Sequence, residues 1–402
     1  MKRILPYAAI GLLQAAFLTV AFATGYVVRG VESDQATPLG LLSPGGSSNY
    51  PLLNEVRGLL ASHYIGTLPA DKILEYGAIH GLVAAVGDPY TVFVEPPAHQ
   101  LETQSLQGAY GGVGVSLAQT ATGDTVLTPL PDSPAAAAGV KDGDVLLAVD
   151  DTTLQSGASA DQVTALIRGP IGSTVRLKVR HVSGVTETLS VTRQEIQLPS
   201  VTAKLIDGHA DMGLIAISRF SDMTPDELGK ALASLRSQGA QRFVLDLRND
   251  GGGILESAIS VTGYFLNGGV AMYETQRSGP EKTYSAPVVA GAALDQPLAV
   301  LVNHNTASAA EIVAGALLDR GRAPLIGQAT YGKGSVQLVY DLSDGSSLHV
   351  TAYHWYTPSH RELAQVGLPP TYVVQPATDG SDAELAYAIQ YLGSVKPGTT
   401  PP

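Results

Sequence analysis

The chain contains no cysteine in 402 residues. Disulfides and thiol chemistry are thereby excluded, an absence compatible with an enzyme working outside the cytoplasm. Aromatic residues are few, with one tryptophan and six phenylalanines. Basic residues are outnumbered, 24 against 36 acidic, which gives a net charge of −12. No basic stripe exists to neutralise phosphates, and this argues against a nucleic-acid partner. The nine histidines show no H-x-x-x-H pair, and His349 and His354 stand five apart, the wrong spacing for a helix. From these spacings no metal site and no cofactor is expected. The remaining composition, 45% hydrophobic, is that of a globular protein long enough for two or three domains.

Charge is also missing from Ile4 to Val28, 25 residues behind the basic start Met1-Lys2-Arg3. Such a run is long enough to span a bilayer, and its positive flank favours an N-terminus kept inside. Ala21-Phe22-Ala23 supports the rival reading, a cleavable signal peptide. Both place the rest of the chain outside the cytoplasm, in the periplasm or cell envelope if anchored, or secreted after cleavage. Residues 30–49, rich in Gly, Ser, Pro, Asp and Gln, read as a flexible linker. Amphipathic helices are expected over Tyr50–Tyr64 and Pro69–Val86, the second stopped by Gly87-Asp88-Pro89. A second unit, residues 108–193, opens with Tyr110-Gly111-Gly112-Val113-Gly114 and continues through a short helix and strands. Beyond it, a strand over Met212–Ile217, a helix over Pro225–Ser237 and a buried strand from Arg242 lead into Gly251-Gly252-Gly253. That glycine turn is either a nest of N–H donors or a plain turn.

The chemistry concentrates in residues 298–339. Leu298 to Val302 reads as a buried strand, and Ile312, Val313, Ala316 and Leu317 trace a helix closed by Gly321. Asn305 or Thr306 is the expected cap, with Glu311 near the positive end of the helix dipole. Ser308 therefore lies where a strand hands over to a helix, beside free N–H groups. Lys333 sits on a loop between Gly332 and Gly334. A serine hydroxyl needs a base, and a lysine serves only when neutral. Near pH 7 this requires a depression of roughly three units from about 10.4, or about 4 kcal/mol. Spacing alone leaves the bland alternative open: a capping serine and a solvated lysine. Gly327-x4-Gly332-Lys333 is nearly a phosphate loop, but Gly334 replaces the hydroxyl residue and a strand pattern follows, so no nucleotide partner is expected.

The same stretch resembles the C-terminal processing peptidases, the tail-specific serine proteases of peptidase family S41. Their pattern S-A-S-A-S-E-I reads here T-A-S-A-A-E-I, and [TS]-F-G-K-G-x-V-Q reads T-Y-G-K-G-S-V-Q. The resemblance implies Ser308 as nucleophile, Lys333 as general base 25 residues on, and Gln337 as the residue orienting the lysine. It implies an oxyanion hole from Ala309 and Gly252, with Gly253 an alternative to the latter. Leu245-Asp246-Leu247-Arg248 ahead of the glycines matches the family segment that leads into that oxyanion loop, while Gly87-Asp88-Pro89-Tyr90-Thr91 and Tyr356-Thr357-Pro358-Ser359 match further segments and read as scaffold. Departures are Gly251 where proline is frequent, His360 for glycine, Thr371 for aspartate, and Thr306 and Ala310 for serines. Asp319, at a family position near the dyad, is expected to organise a loop.

Ala138-Gly139-Val140 through Gly143-Asp144-Val145-Leu146 resembles a PDZ domain. Such a domain implies capture of substrate tails, with Gly112, Val113 and Gly114 as a carboxylate-binding loop. The residues alone permit a simple hairpin there, and Arg168 is either a sensor of occupancy or a solvated side chain.

Together the resemblances imply an α/β fold: a crotonase/ClpP-like protease core with an inserted PDZ domain and an N-terminal helical region, preceded by a membrane anchor or signal segment. The expected division is 1–29 anchor or signal, 30–49 linker, 50–107 helical region, 108–193 PDZ domain, 194–392 protease core and 393–402 tail. The implied function is a serine endopeptidase cleaving proteins near their C-termini, its PDZ domain recognising tails and gating activity. The alternatives are a catalytically silent PDZ scaffold and a crotonase-type acyl-CoA enzyme; a homo-oligomer or regulatory partner stays open.

Overall fold

A computed structural model describes residues 50–120 and 122–395. The apolar run 4–28, the linker and the tail from 396 lie outside the described residues. Among the described residues no helix is long and apolar enough to cross a membrane.

The chain divides into two compact units, the first ending at Glu75. Its described part is α1 (Pro51–His63) and the first turn of α2 (Asp71–Ala84), with Arg57 paired to Asp71 at 2.8 Å. α1 buries none of its residues.

The second unit begins at Tyr76 and continues through β1 (Val92–Val94) and α3 (Pro96–Gln107). β2 (Ala109–Gly112) then pairs antiparallel with β9 (Gln194–Gln197), and this ribbon brackets the 108–193 segment. Between them lie β3 (Val115–Gln119), β4 (Thr125–Pro129), α4 (Pro134–Ala137), β5 (Asp144–Val149), β6 (Thr152–Thr153), α5 (Ala160–Ile167), β7 (Thr174–Arg180) and β8 (Thr186–Thr192). The strands form an antiparallel sheet in the order β3-β4-β5-β7-β8. β7 shows why: Val175, Leu177 and Val179 are buried while Thr174, Arg176, Lys178 and Arg180 are exposed, the period of two that one covered face demands. α5 starts at a capping box, Ser159 Oγ accepting from Gln162 N and Gln162 Oε1 from Ser159 N.

The rest of the chain forms two sheets. β10 (Val201–Ile206), β11 (His209–Ile217), β12 (Arg242–Asp246), β15 (Leu298–Val302), β16 (Leu325–Gly327) and β19 (Tyr372–Val373) lie side by side in that order. All neighbours are parallel except β10, which is antiparallel to β11. A parallel sheet needs both faces covered. Leu298, Val300 and Val302 of β15 accordingly pack in the core that includes α6 (Thr224–Ser237), α7 (Leu255–Thr262) and α8 (Ala309–Asp319). Ala299 and Leu301 pack on the opposite face with Ala388 and Leu392 of α9 (Ala383–Ser394). Arg248 pins α9 to the end of β12, bonding Asp246, Asp382 and Glu384. The second sheet runs β1, β18 (Ser347–Tyr356), β13 (Val270–Gln276), β14 (Lys282–Ser285), with β17 (Ser335–Asp341) also paired to β18. The sheet order defines a mixed α/β architecture.

Arg322, only 5% exposed, follows α8 and ties distant loops together. Its guanidinium donates to the carbonyls of Phe265 (3.0 Å), Ala293 (2.5 Å) and Gln296 (2.7 Å), and burial pushes its pKa down to about 10. Arg322→Ala strands two buried acceptors and a half-buried third, at about 1–3 kcal/mol each. A urea titration should show stability lowered by at least about 3 kcal/mol; an unchanged midpoint would refute this role.

Candidate active site

β12 and β15 end in adjacent loops laced by three asparagines. Asn303 Oδ1 accepts from Asn249 N (3.0 Å) and Asn305 N (3.1 Å). Asn249 Oδ1 accepts from the side-chain amides of Asn303 and Asn305, both at 3.0 Å. Thr306 Oγ1 donates to Leu247 O at 2.8 Å. Neither Asn305 nor Thr306 therefore caps α8. The cap position is Ser308, held at φ 54° and ψ −118°. A non-glycine residue there stores on the order of 1–3 kcal/mol of backbone strain, a cost that clusters at functional sites. The helix begins three residues later than Thr306 because this turn must first bring Ala307 N to Asp250 O, at 2.9 Å.

What holds the strained turn is Glu311. Its side chain lies in the first turn of α8 and is fully buried. Oε2 accepts from the backbone N–H of Ser308 and of Lys333, both at 2.9 Å. Oε1 accepts from Gly332 N at 2.8 Å and Thr330 Oγ1 at 2.5 Å. Thr330 Oγ1 in turn accepts from Leu368 N at 2.7 Å. Sequence position gives Glu311 only a dipole to complement; the structure makes it the joint between the serine turn and the lysine loop.

The Lys333 ammonium donates to Gln337 Oε1 at 2.7 Å, and Gln337 Nε2 donates to Tyr90 O. The Lys333 carbonyl accepts from the indole of Trp355 at 2.8 Å, and the ammonium lies 5.4 Å from the centre of the Tyr90 ring. Burial pushes the Lys333 pKa down, opposed by the charges of Glu102, Asp88 and Glu311. Tyr90 thus belongs to the lysine's surroundings, a correction to the reading of residues 87–91 as scaffold alone. Among the described residues no hydrogen bond joins Ser308 Oγ to Lys333 Nζ; such contacts are often long before substrate binds.

Gly252 lies against the serine. With φ 102°, it sits so close that a methyl group would fall 2.8 Å from Ser308 Cβ and 3.0 Å from Ala309 N. Its own N–H donates to Asp250 Oδ1 at 2.8 Å, so this expected oxyanion donor already has a partner. Asp250 is fully buried, its Oδ2 has no partner, and burial pushes its pKa up to about 8 against the Gly252 hydrogen bond and the charge of Arg219. Gly253, at φ 143°, packs on Phe220, whose O a methyl group would approach to 2.0 Å.

A groove of about 280 Å³ opens between β3 and α5, lined by Val113, Gly114, Leu117, Thr164, Ile167 and Arg168. Gly114, at φ 70°, leaves no room for a side chain: a methyl group would lie 2.5 Å from Ser133 Cβ. Gly112 pairs with Gln194 at the end of the β2–β9 ribbon. The Arg168 guanidinium stacks 3.9 Å over the Tyr110 ring, and its Nε is buried without a partner. Asp319 accepts from Ser359 N at 2.9 Å and pairs with Arg361 at 2.9 Å, a loop-organising set of bonds. His360 adopts φ 57° in the glycine position and stacks 4.0 Å from Tyr273. Thr371 Oγ1 accepts from Leu325 N at 3.2 Å.

Known proteins resemble this chain in sequence and fold. Profiles for peptidase family S41 and for the PDZ domain match residues 211–374 and 125–181. The carboxyl-terminal-processing protease of Picosynechococcus sp. is 38% identical over 321 residues, covering 78% of this chain and 77% of that one. The carboxy-terminal processing protease CtpA of Bacillus subtilis is 31% identical over 326 residues, 81% of this chain and 69% of that one. A solved Bacteroides fragilis protein described as an S41 protease shares the fold at 16% identity and TM-score 0.50, over 88% of this chain and 100% of that one. These matches define the class, an S41 serine peptidase carrying a PDZ domain. Within it, the chain belongs to the carboxyl-terminal-processing proteases.

Two substitutions test the site. Glu311→Ala removes the acceptor shared by the Ser308 and Lys333 amides and should lower cleavage of an unstructured protein at least about 100-fold, the scale of an ångström-sized misplacement. Gly252→Ala should cost on the order of 100-fold or more in kcat with the circular dichroism spectrum intact. Near-wild-type turnover in either would remove that residue from the site.

Proposed function

We propose that Ser308 and Lys333 form the catalytic dyad of this protease. The observation that carries the reading is the buried Glu311 carboxylate, which accepts from the backbone N–H of both residues. The burial that depresses Lys333 supports a neutral amine at working pH. In this reading Lys333 Nζ takes the proton of Ser308 Oγ as Oγ attacks the scissile carbonyl. Gln337 fixes the amine by accepting one of its hydrogens. The N–H groups of Ala309 and Gly252 donate to the oxyanion, each worth on the order of 3 kcal/mol. Gly252 does so once its N–H leaves Asp250 Oδ1; burial pushes the pKa of that carboxyl up to about 8 and so toward the neutral, weaker-accepting form. Lys333 then returns the proton to the leaving amine, and water hydrolyses the acyl-enzyme.

The 108–193 segment, with its groove at Val113 and Gly114, acts as the receptor for substrate C-terminal tails and gates the dyad. The six-stranded sheet covered on both faces fits a core of the crotonase/ClpP kind. Extracytoplasmic placement through residues 1–29, with membrane attachment or cleavage there, rests on the apolar run alone. A silent PDZ scaffold is the alternative.

Cleavage of an unstructured protein by residues 30–402 should vanish in Ser308→Ala and in Lys333→Ala; activity surviving in either removes the dyad, and no cleavage by the unaltered chain with tail peptides present favours the scaffold. Because burial lowers the lysine pKa, the neutral base accumulates as pH rises, and the rising limb of kcat/KM should fall below the ordinary value of 10.5. The sign for stability agrees: over the window from the depressed value up to 10.5 the unfolded chain binds more protons, so this lysine's contribution to stability increases with pH there. Amidating a tail peptide should weaken its binding by about tenfold or more in fluorescence anisotropy, the cost of losing a charged acceptor; equal binding would remove the carboxylate loop.

A further inference from the structure

We propose that His99, Glu102 and His349 bind a divalent transition-metal ion, at a site that shares no ligand with the Ser308–Lys333 pair. α3 presents His99 and Glu102 one turn apart, on one face. β18 supplies His349, registered opposite Val339 of β17 and Val92 of β1. One donor atom from each residue lies within 4.8 Å of the other two. The gap between His349 Nε2 and Glu102 Oε2 is already 3.3 Å. Two ligands on one tetrahedral zinc stand about 3.3 Å apart, given bonds of roughly 2.0–2.1 Å.

His99 carries the second, independent observation. Its Nε2 lies 2.9 Å from Asp341 Oδ1 on β17, so the ring proton belongs to that hydrogen bond. In the neutral tautomer that this bond selects, Nδ1 holds the lone pair, and Nδ1 is buried without any hydrogen-bond partner. A buried unpaired nitrogen requires a reason. A carboxylate fixing the far nitrogen of an imidazole is the arrangement metal-bound histidines commonly have. Two imidazoles and one carboxylate suit Zn²⁺ with a fourth, open position. The histidine side chains are 14% and 8% exposed and that of Glu102 41%, which leaves an entry path and room for water on the glutamate's side. Helical spacing in the sequence could not reveal this set, because folding joins positions about 250 residues apart.

The test is calorimetric titration of Zn²⁺ into the full chain, prepared without a histidine tag, with visible absorption of the Co²⁺ form as second readout. One ion per chain is expected, with Co²⁺ bands of a low-coordinate site. Glu102→Gln and His99→Gln should each weaken binding at least about 100-fold, and Asp341→Asn about 10–100-fold, as for an outer-sphere partner. Glu102 is partly exposed, so its variant reports binding even if His349→Ala fails to fold. Absence of Zn²⁺ uptake by the unaltered chain, or affinity unchanged in both Glu102→Gln and His99→Gln, would overturn the proposal.

Discussion

One buried carboxylate sets the geometry of the catalytic half. Glu311 accepts four hydrogen bonds, from Ser308 N, Lys333 N, Gly332 N and Thr330 Oγ1. Taking a carboxylate out of water is costly unless its lone pairs are filled, and here they are filled by groups from two separate segments. The same bonds that make the acid tolerable draw the strained serine turn and the glycine-flanked lysine loop together. Neither segment has an internal reason to adopt its conformation: Ser308 is at positive φ, and the lysine loop lacks regular structure between β16 and β17.

Around this joint the structure uses different forces on different sides. The serine turn is tied to the neighbouring loop by asparagine amides, which carry no charge. α9 is tied to the same sheet by Arg248 and three carboxylates, and that guanidinium is held firmly charged although burial opposes it. Lys333 lies at the meeting of both tendencies. Burial disfavours its charge, while Glu102, Asp88 and Glu311 favour it. For the base of the proposed dyad, such a balance allows a proton to be exchanged in both directions.

Much of this is legible in the sequence, for reasons that differ by element. β15 is readable to the residue because a strand buried on both faces must be continuously apolar. The alternation of β7 and the turn of glycines at 251–253 are equally local signals. The helix start is not, because Asn305 and Thr306 have capping side chains but spend them across the gap to β12, on Asn249 and Leu247. The role of Glu311 is invisible for a similar reason: its partners at 330–333 become neighbours only once the chain folds back. Tyr90 reaches Gln337 across 247 residues, beyond any pattern of spacing.

The backbone at Ser308 also restricts which side chain can serve there. The dyad proposed above makes Ser308 the nucleophile, and threonine, with the same hydroxyl, fills that role in other enzymes. At φ 54°, however, a β-branched residue is a genuine steric outlier, whereas serine's single γ atom leaves the torsion bearable. The turn that aims the hydroxyl therefore discriminates between two alcohols of nearly equal reactivity, and does so by shape alone.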